Sequence, residues 1–371
     1  MKRESIIHIS KRPPLSNWKT ATYYGIAILA AVIISSLFVI LTGTDIVKFY
    51  QFIFEGSFKS DLSMRGLVRN ILPLLITSLG VSVAFKMKFW NIGAEGQLIM
   101  GAVGASFVAF TFPDLPHGLL ILLMALAGIV TGGLWGLIVA FFNCKFGTNE
   151  TLLTLMLNYI ALYIVQWLRD GPWRDPAAKG FQKIPSLPKN AWLDQVFDMD
   201  ITWIIGLCLV VLLFVYFKFT KQGYEISVVG DSKSTAHYAG MNVNWIVMRT
   251  VFISAAICGL AGMLHVSGDA TTHQLTMGVA NGVGFTAIIV AWLAKLNPFG
   301  VLVVSFFFGL LEKSSGAIES GLHLSKAFTD VYQGIILFVI LGFDFFIRYR
   351  ISLRLKKKKV QNLENEGEAS K

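Results

Sequence analysis

Charge is scarce in this sequence. Asp, Glu, Lys and Arg make up 15% of its 371 residues, where a soluble globular chain carries about a quarter. Hydrophobic residues make up 54%, which argues against a water-soluble fold. Cysteine is nearly absent. Cys144, Cys208 and Cys258 lie far apart, each in or beside an apolar run, so they form no disulfide framework and read as small buried hydrophobes. There is no GxxxxGK(S/T) phosphate loop, which excludes ATP hydrolysis by this chain itself. His8, His117, His237, His265, His273 and His323 fall into no HExxH or comparable spacing, and His265 and His273 flank Asp269 without completing a metal set. No serine or cysteine stands in a GxSxG setting. The sequence thus offers no catalytic residue, no cofactor site and no metal site, and the chain is expected not to be an enzyme.

What it has in abundance is apolar runs long enough to cross a hydrocarbon core of about 30 Å. Ten are expected, at 22–42, 66–85, 93–112, 118–142, 151–169, 201–217, 246–266, 279–294, 298–312 and 331–347. The fold class is therefore all-α, a polytopic membrane protein. A basic segment over 1–21 precedes the membrane domain at 22–347, and a basic then acidic tail fills 348–371. The first run is too long for a signal-peptide core and no cleavage pattern closes it, so it reads as an uncleaved span. The formal charge of +10 is concentrated at "RYRISLRLKKKK" (348–359), directly after the last run. Such a cluster belongs against anionic lipid at the cytoplasmic surface and does not point to nucleic acid. With ten spans both termini share one side, and a cytoplasmic assignment puts the larger part of the Lys and Arg inside. The longest connections are then an outer loop at 170–200 and a cytoplasmic loop at 218–249.

Gly128, Gly132 and Gly136 recur at every fourth residue and permit close helix packing. A weak internal symmetry relates spans two to five, starting outside, to spans seven to ten, starting inside. In each block the first helix is followed by a glycine-broken stretch with an Asn, "NIGAEG" at 91–96 and "NGVGFT" at 281–286. Opposed blocks with broken helices are a transporter pattern.

Glu95 is the carboxylate set most deeply inside an expected span. A charge in hydrocarbon is costly, so it must face protein or a water-filled cavity. Either Glu95, Asn91 and Gln97 line or gate a polar pathway, or Glu95 caps a helix start. A second polar stripe, Thr151, Thr154 and Asn158, shares one helix face; solute passage and interhelical hydrogen bonding explain it equally well. Asn281 joins the candidates as the counterpart of Asn91. In the cytoplasmic loop, Asp231 or Ser232 is expected to cap a short helix running to Ala239 and stopped by Gly240, a docking piece for a partner.

"WNIGAEGQLIMGA" (90–102), "TNETLLTLMLNYIA" (148–161), "GPWRDP" (171–176), "GYEISVVGDSKSTAHYAGM" (223–241) and "GFTAIIVAWLAKLNPFG" (284–300) together resemble the permease subunits of bacterial ABC importers. The group is the branched-chain amino acid, ribose and nucleoside one, and the similarity is nearest to its nucleoside branch, whose receptors are basic membrane lipoproteins. It runs from about residue 65 to 345. The chain departs from the family at its cytoplasmic loop, where Ser227 and Val228 replace an Arg-Ala pair, Asp231 replaces a neutral residue and Ser234-Thr235-Ala236 stand in an Ala-rich part. The Tyr238-Ala239-Gly240 ending is kept. The resemblance implies a bacterial plasma-membrane permease with an inverted repeat, importing nucleosides, purine nucleosides foremost, by alternating access. It implies a cytoplasmic ABC ATPase docked through Asp231, Ser234, Ala236, Tyr238 and Gly240. It also implies a second homologous permease (or a homodimer) and an extracytoplasmic binding lipoprotein. A ribose-type sugar permease and a proton-coupled secondary transporter are the alternatives.

Overall fold

The structure is a computed structural model that describes residues 7–11, 17–268 and 272–353. Asp269, Arg354, the lysines of 356–359 and the acidic end lie outside the described residues. Two compact units are present. One comprises residues 1–46 with 330–371, the other residues 47–329.

In the first unit, strand β1 (Ile7–Lys11) precedes helix α1 (Asn17–Leu41), and strand β4 (Tyr349–Leu353) closes the described chain. β1 and β4 pair antiparallel, with Ile7 opposite Leu353 and Lys11 opposite Tyr349. This pairing joins stretches that the sequence reading leaves as basic tails.

The second unit contains α2 (Ile46–Phe58), α3 (Asp61–Lys86), α4 (Ala94–Thr111), α5 (His117–Phe146) and α6 (Glu150–Asp170). A short hairpin follows, β2 (Gln195–Val196) and β3 (Met199–Asp200), and then α7 (Thr202–Phe219), α8 (Lys221–Asp231) and α9 (Lys233–Tyr238). The unit continues through α10 (Val243–Gly268), α11 (Val283–Leu293) and α12 (Pro298–Leu322); α13 (Lys326–Arg348) starts at its end and from residue 330 belongs to the first unit. Among the described residues nine helices are long and apolar enough to cross a membrane, and α11 is the short tenth. Each matches an expected span.

The helices start where their caps dictate. Ser60 Oγ accepts the Ser63 N–H at the head of α3, and Asn149 Oδ1 accepts that of Leu152 at the head of α6. At α12, Asn297 takes the Phe299 N–H and Pro298 fills the first position, where a missing N–H costs nothing. Three features fall in stretches read as loops. α2 is an aromatic-rich helix of thirteen residues that buries Phe49, Ile53 and Ser57, and Ser57 Oγ lies 3.0 Å from Ser314 Oγ. It is too short and mixed for a membrane signal. The 218–249 loop holds two helices, α9 where a short one is expected and α8 before it, and the 170–200 loop holds a 3-10 turn and a hairpin.

α3 and α10 are the inner helices, mostly buried, whereas α6 and α7 leave most of their surface exposed. Small residues let α4, α5 and α10 cross closely. A Cβ built on Gly259 would stand 2.2 Å from the Gly128 carbonyl oxygen and 2.9 Å from the Gly132 Cα. Backbone meets backbone there, as membrane helices favour in the absence of a hydrophobic drive. Gly259→Val is expected to abolish folded protein on fluorescence-detected size exclusion. Gly118→Ala, in open space, leaves the elution peak unchanged.

Candidate translocation site

The site is built at the break between α3 and α4. α3 stops at Lys86, where the Met87 and Lys88 N–H groups fold back on Ala84 and Phe85 at 3.1 and 2.9 Å. Lys88 has φ +58°, and seven irregular residues lead to α4. Gly93, at the head of α4, supplies no side-chain cap, and neither does Gly282 (φ +82°) at the head of α11.

Glu95 supplies the second cap from a distance. Its Oε1 accepts the Gly282 N–H at 2.8 Å and its Oε2 that of Gly284 at 2.6 Å. It thus satisfies orphan donors at the start of α11, with its charge between the positive ends of two helices. Glu95 makes a capping contact, at the start of a helix 187 residues away and not at the start of its own. The approach needs glycine, because a Cβ on Gly284 would stand 2.3 Å from the Glu95 nitrogen.

Amides hold the rest of the turn. Asn91 and Gln97 exchange hydrogen bonds, Asn91 Nδ2 donating to Gln97 Oε1 at 3.0 Å and Gln97 Nε2 to Asn91 Oδ1 at 2.9 Å. Asn91 Oδ1 also accepts the Gly93 N–H, and its Nδ2 donates to Ser254 Oγ on α10. From α6, Asn158 accepts the Gly96 N–H at 2.8 Å and donates to the Ile92 carbonyl at 2.9 Å. Thr154 donates back to the Glu150 and Thr151 carbonyls. Asn91, Gln97, Thr154 and Asn158 are all buried. The structure therefore gathers Asn91, Glu95, Gln97, Thr154 and Asn158 around one turn. Thr151 is half-buried a turn away, and Asn281 is exposed beside Gly282 with φ +42°.

The same turn also grips the far end of α11. Trp90 stacks on Trp292 with centroids 5.4 Å apart and planes 21° apart, and Phe85 packs against both rings. The sequence gives no sign of this pair, since two Trp separated by two hundred residues carry no spacing signal. Nor does it mark Arg69, inside α3, which pairs with the buried Asp200 at 3.4 Å.

Away from that turn, the segment entering α11 is tied to the 170–200 loop. Leu187 N–H donates to the His273 carbonyl at 2.8 Å, and Trp192 stacks on the His273 ring at 4.0 Å. Gln274 donates to the Ile184 carbonyl.

The residues expected at a partner contact fall on and around α8 and α9. Asp231 ends α8, and Ser232 Oγ caps α9 by accepting the Thr235 N–H at 3.2 Å. Gly240 stops it with φ +75°. Ser234 is exposed, Ala236 is buried, and Tyr238 stands 91% exposed.

Glu95→Ala strands two N–H groups, each costing about 1–3 kcal/mol. It is expected to lower the unfolding midpoint in detergent, with Glu95→Gln, which keeps one carbonyl acceptor, in between. An alanine variant as heat-stable as the parent would remove the capping assignment.

Comparison with known proteins fits this architecture. The chain is 26% identical over 345 residues to the glucose ABC transporter permease protein TsgB13 of Haloferax volcanii, covering 90% of each chain. It is 30% identical over 340 residues to the guanosine ABC transporter permease protein NupP of Bacillus subtilis, covering 90% of this chain and 96% of that one. To the nucleoside ABC transporter permease protein NupB of Lactococcus lactis it is 25% identical over 329 residues, with 86% and 90% covered. Residues 63–341 match the family described as branched-chain amino acid transport system / permease component. This chain is a multi-pass membrane protein and belongs to that ABC transporter permease family.

Proposed function

We propose that this chain is one pore-forming subunit of an ABC importer that takes up nucleosides, purine nucleosides foremost, by alternating access. The observation that carries the reading is the 30% identity to a guanosine permease over 96% of that protein's length. A second nucleoside permease, NupB, matches over 90% of its own length. One observation favours a sugar instead, the similarity to the glucose permease TsgB13.

The assembly that fits is a heterodimer of permeases with a cytoplasmic ATPase and an extracytoplasmic binding lipoprotein. Its support is that a second guanosine permease of Bacillus subtilis, NupQ, is also 30% identical, over 270 residues; a homodimer is the other arrangement. Both termini are cytoplasmic in this reading. The cation distribution supports it, and the antiparallel β1–β4 pairing is consistent with both ends on one side.

Coupling runs from the ATPase through α9 and α8. α8 rests on the end of α3 at Gly230, whose Cβ, if present, would stand 2.4 Å from the Lys86 carbonyl oxygen. It is joined to α10 by Glu225 and Arg249 at 2.9 Å. A push on α8 is delivered at Lys86, next to the turn that Glu95 closes. Asn91, Glu95, Gln97, Thr151, Thr154, Asn158 and Asn281 then form the gate region, with Glu95 joining its two halves.

Labelled guanosine uptake in a strain lacking this chain tests the solute. Uptake should vanish on deletion and return with the gene. Guanosine uptake unchanged by deletion, with glucose or ribose uptake lost, overturns the nucleoside assignment. Docking is tested separately. Gly240→Val forces a β-branched residue into a left-handed position and should reduce ATPase recovery in a pull-down several-fold. Full recovery would remove α9 from the contact.

A further inference from the structure

Residues 184–194, in the long connection between α6 and α7, form a strap across the chain. On one side the strap is tied to the end of α10 and the segment entering α11. The Leu193 N–H donates to the Ser267 carbonyl at 3.2 Å, and the Leu187 N–H to that of His273. Trp192 lies flat on the His273 ring, with planes 9° apart, and its Nε1 donates to the Leu187 carbonyl. On the other side the strap meets the turn between α4 and α5. Asn190 Nδ2 approaches the Pro113 and Leu115 carbonyls there at 3.4 Å each, too long for strong bonds.

The close contacts on that side belong to His117, the first residue of α5. Its Nδ1 lies 2.9 Å from the Asn190 carbonyl oxygen and its Nε2 3.1 Å from Asp194 Oδ2. A carbonyl oxygen and an ionised carboxylate only accept. Both ring nitrogens must therefore donate, and only the imidazolium carries two N–H groups. A neutral ring serves one oxygen and turns a lone pair on the other. The grip of the strap on α5 thus contains one removable proton.

Asp194 is the charge that holds this proton. Pro116 gives α5 no side-chain cap, and a cation in the first turn of a helix is opposed by the helix dipole. The other charged residues on the packed elements lie elsewhere. Asp114 in the α4–α5 turn and Lys189 in the 3-10 turn are exposed, and Arg169 and Asp170 at the end of α6 pair with each other at 2.7 Å. Among the described residues none of these four bonds to the His117 ring. A free imidazole gives up its proton at about pH 6.5, and free carboxylates are ionised from about pH 5 upward. The double grip is complete on the acid side of the imidazole range and is lost as the pH rises through and beyond it.

We propose that His117 is a proton-operated latch. Protonated, it fastens the strap to the head of α5 through Asn190 and Asp194 together; neutral, it lets one of them go. The strap then stays bound on its α10–α11 side, while the tie between α5 and the entry to α11 slackens. The latch is independent of which solute the permease carries.

Hydrogen exchange on the full-length chain in lipid nanodiscs reads the latch directly. It is run at about pH 6 and about pH 8.5, either side of the imidazole range, and corrected for intrinsic rates. Protection of residues 187–194 should fall about threefold at the higher pH, the scale of an exposed ion pair. His117→Gln and Asp194→Asn should each remove that pH dependence, while His273→Gln, on the other side of the strap, keeps it. A parent chain whose strap exchanges alike at both pH values overturns the proposal. So does His117→Gln with the parent's pH dependence, since another group would then be titrating. A change spread equally over α3 and α10 means that the whole chain loosens, and overturns it as well.

Discussion

A helix that begins within a bilayer leaves backbone N–H groups where no water can bond them. In this protein the starts of α4 and α11 lie against one another away from the chain's surface, and one carboxylate serves the meeting point. Glu95 sits in the first turn of α4 and receives its two hydrogen bonds from the backbone at the head of α11. Each partner removes the penalty the other would carry alone. The buried charge is compensated by donors and two positive helix ends, and the donors are satisfied by the charge. The Asn91–Gln97 amide pair and Asn158 fix the turn that aims Glu95, and Ser254 ties that turn to α10.

This arrangement makes α11 a body gripped at both ends by residues 85–95. Glu95 holds its start, while Phe85 and Trp90 hold Trp292 near its end. The 170–200 loop bonds to the segment leading into it, and α8 abuts Lys86 at the edge of the gripping turn. Elements facing opposite sides of the membrane thus converge on one short helix.

Much of this was legible beforehand. Apolar runs are a strong signal because lipid allows so few backbone solutions; nine of the ten expected spans coincide with helices long enough to cross, and the run at 279–294 holds the short α11 instead. The α9 helix was readable from Ser232 and Gly240, since caps are local chemistry. The special character of the 91–97 stretch was also plain, because a carboxylate among glycines in an apolar run has few explanations. What stayed hidden was its partner. Backbone N–H groups leave no mark in a sequence, so nothing in "NGVGFT" announces that Gly282 and Gly284 donate to Glu95. The Trp90–Trp292 stack and the Arg69–Asp200 pair were hidden for the same reason, since long-range contacts have no spacing rule. α2 was lost because thirteen mixed residues fit neither the membrane period nor a typical surface helix.

The distance between cap and helix also bears on how the chain is made. An isolated helix of eleven residues is marginal, and α11 is too short to partition into a bilayer as an independent span. Its cap lies on α4, synthesised long before it. α11 therefore has no stable state of its own on leaving the ribosome and must find a template already inserted. This later helix start thus depends on a carboxylate made 187 residues earlier.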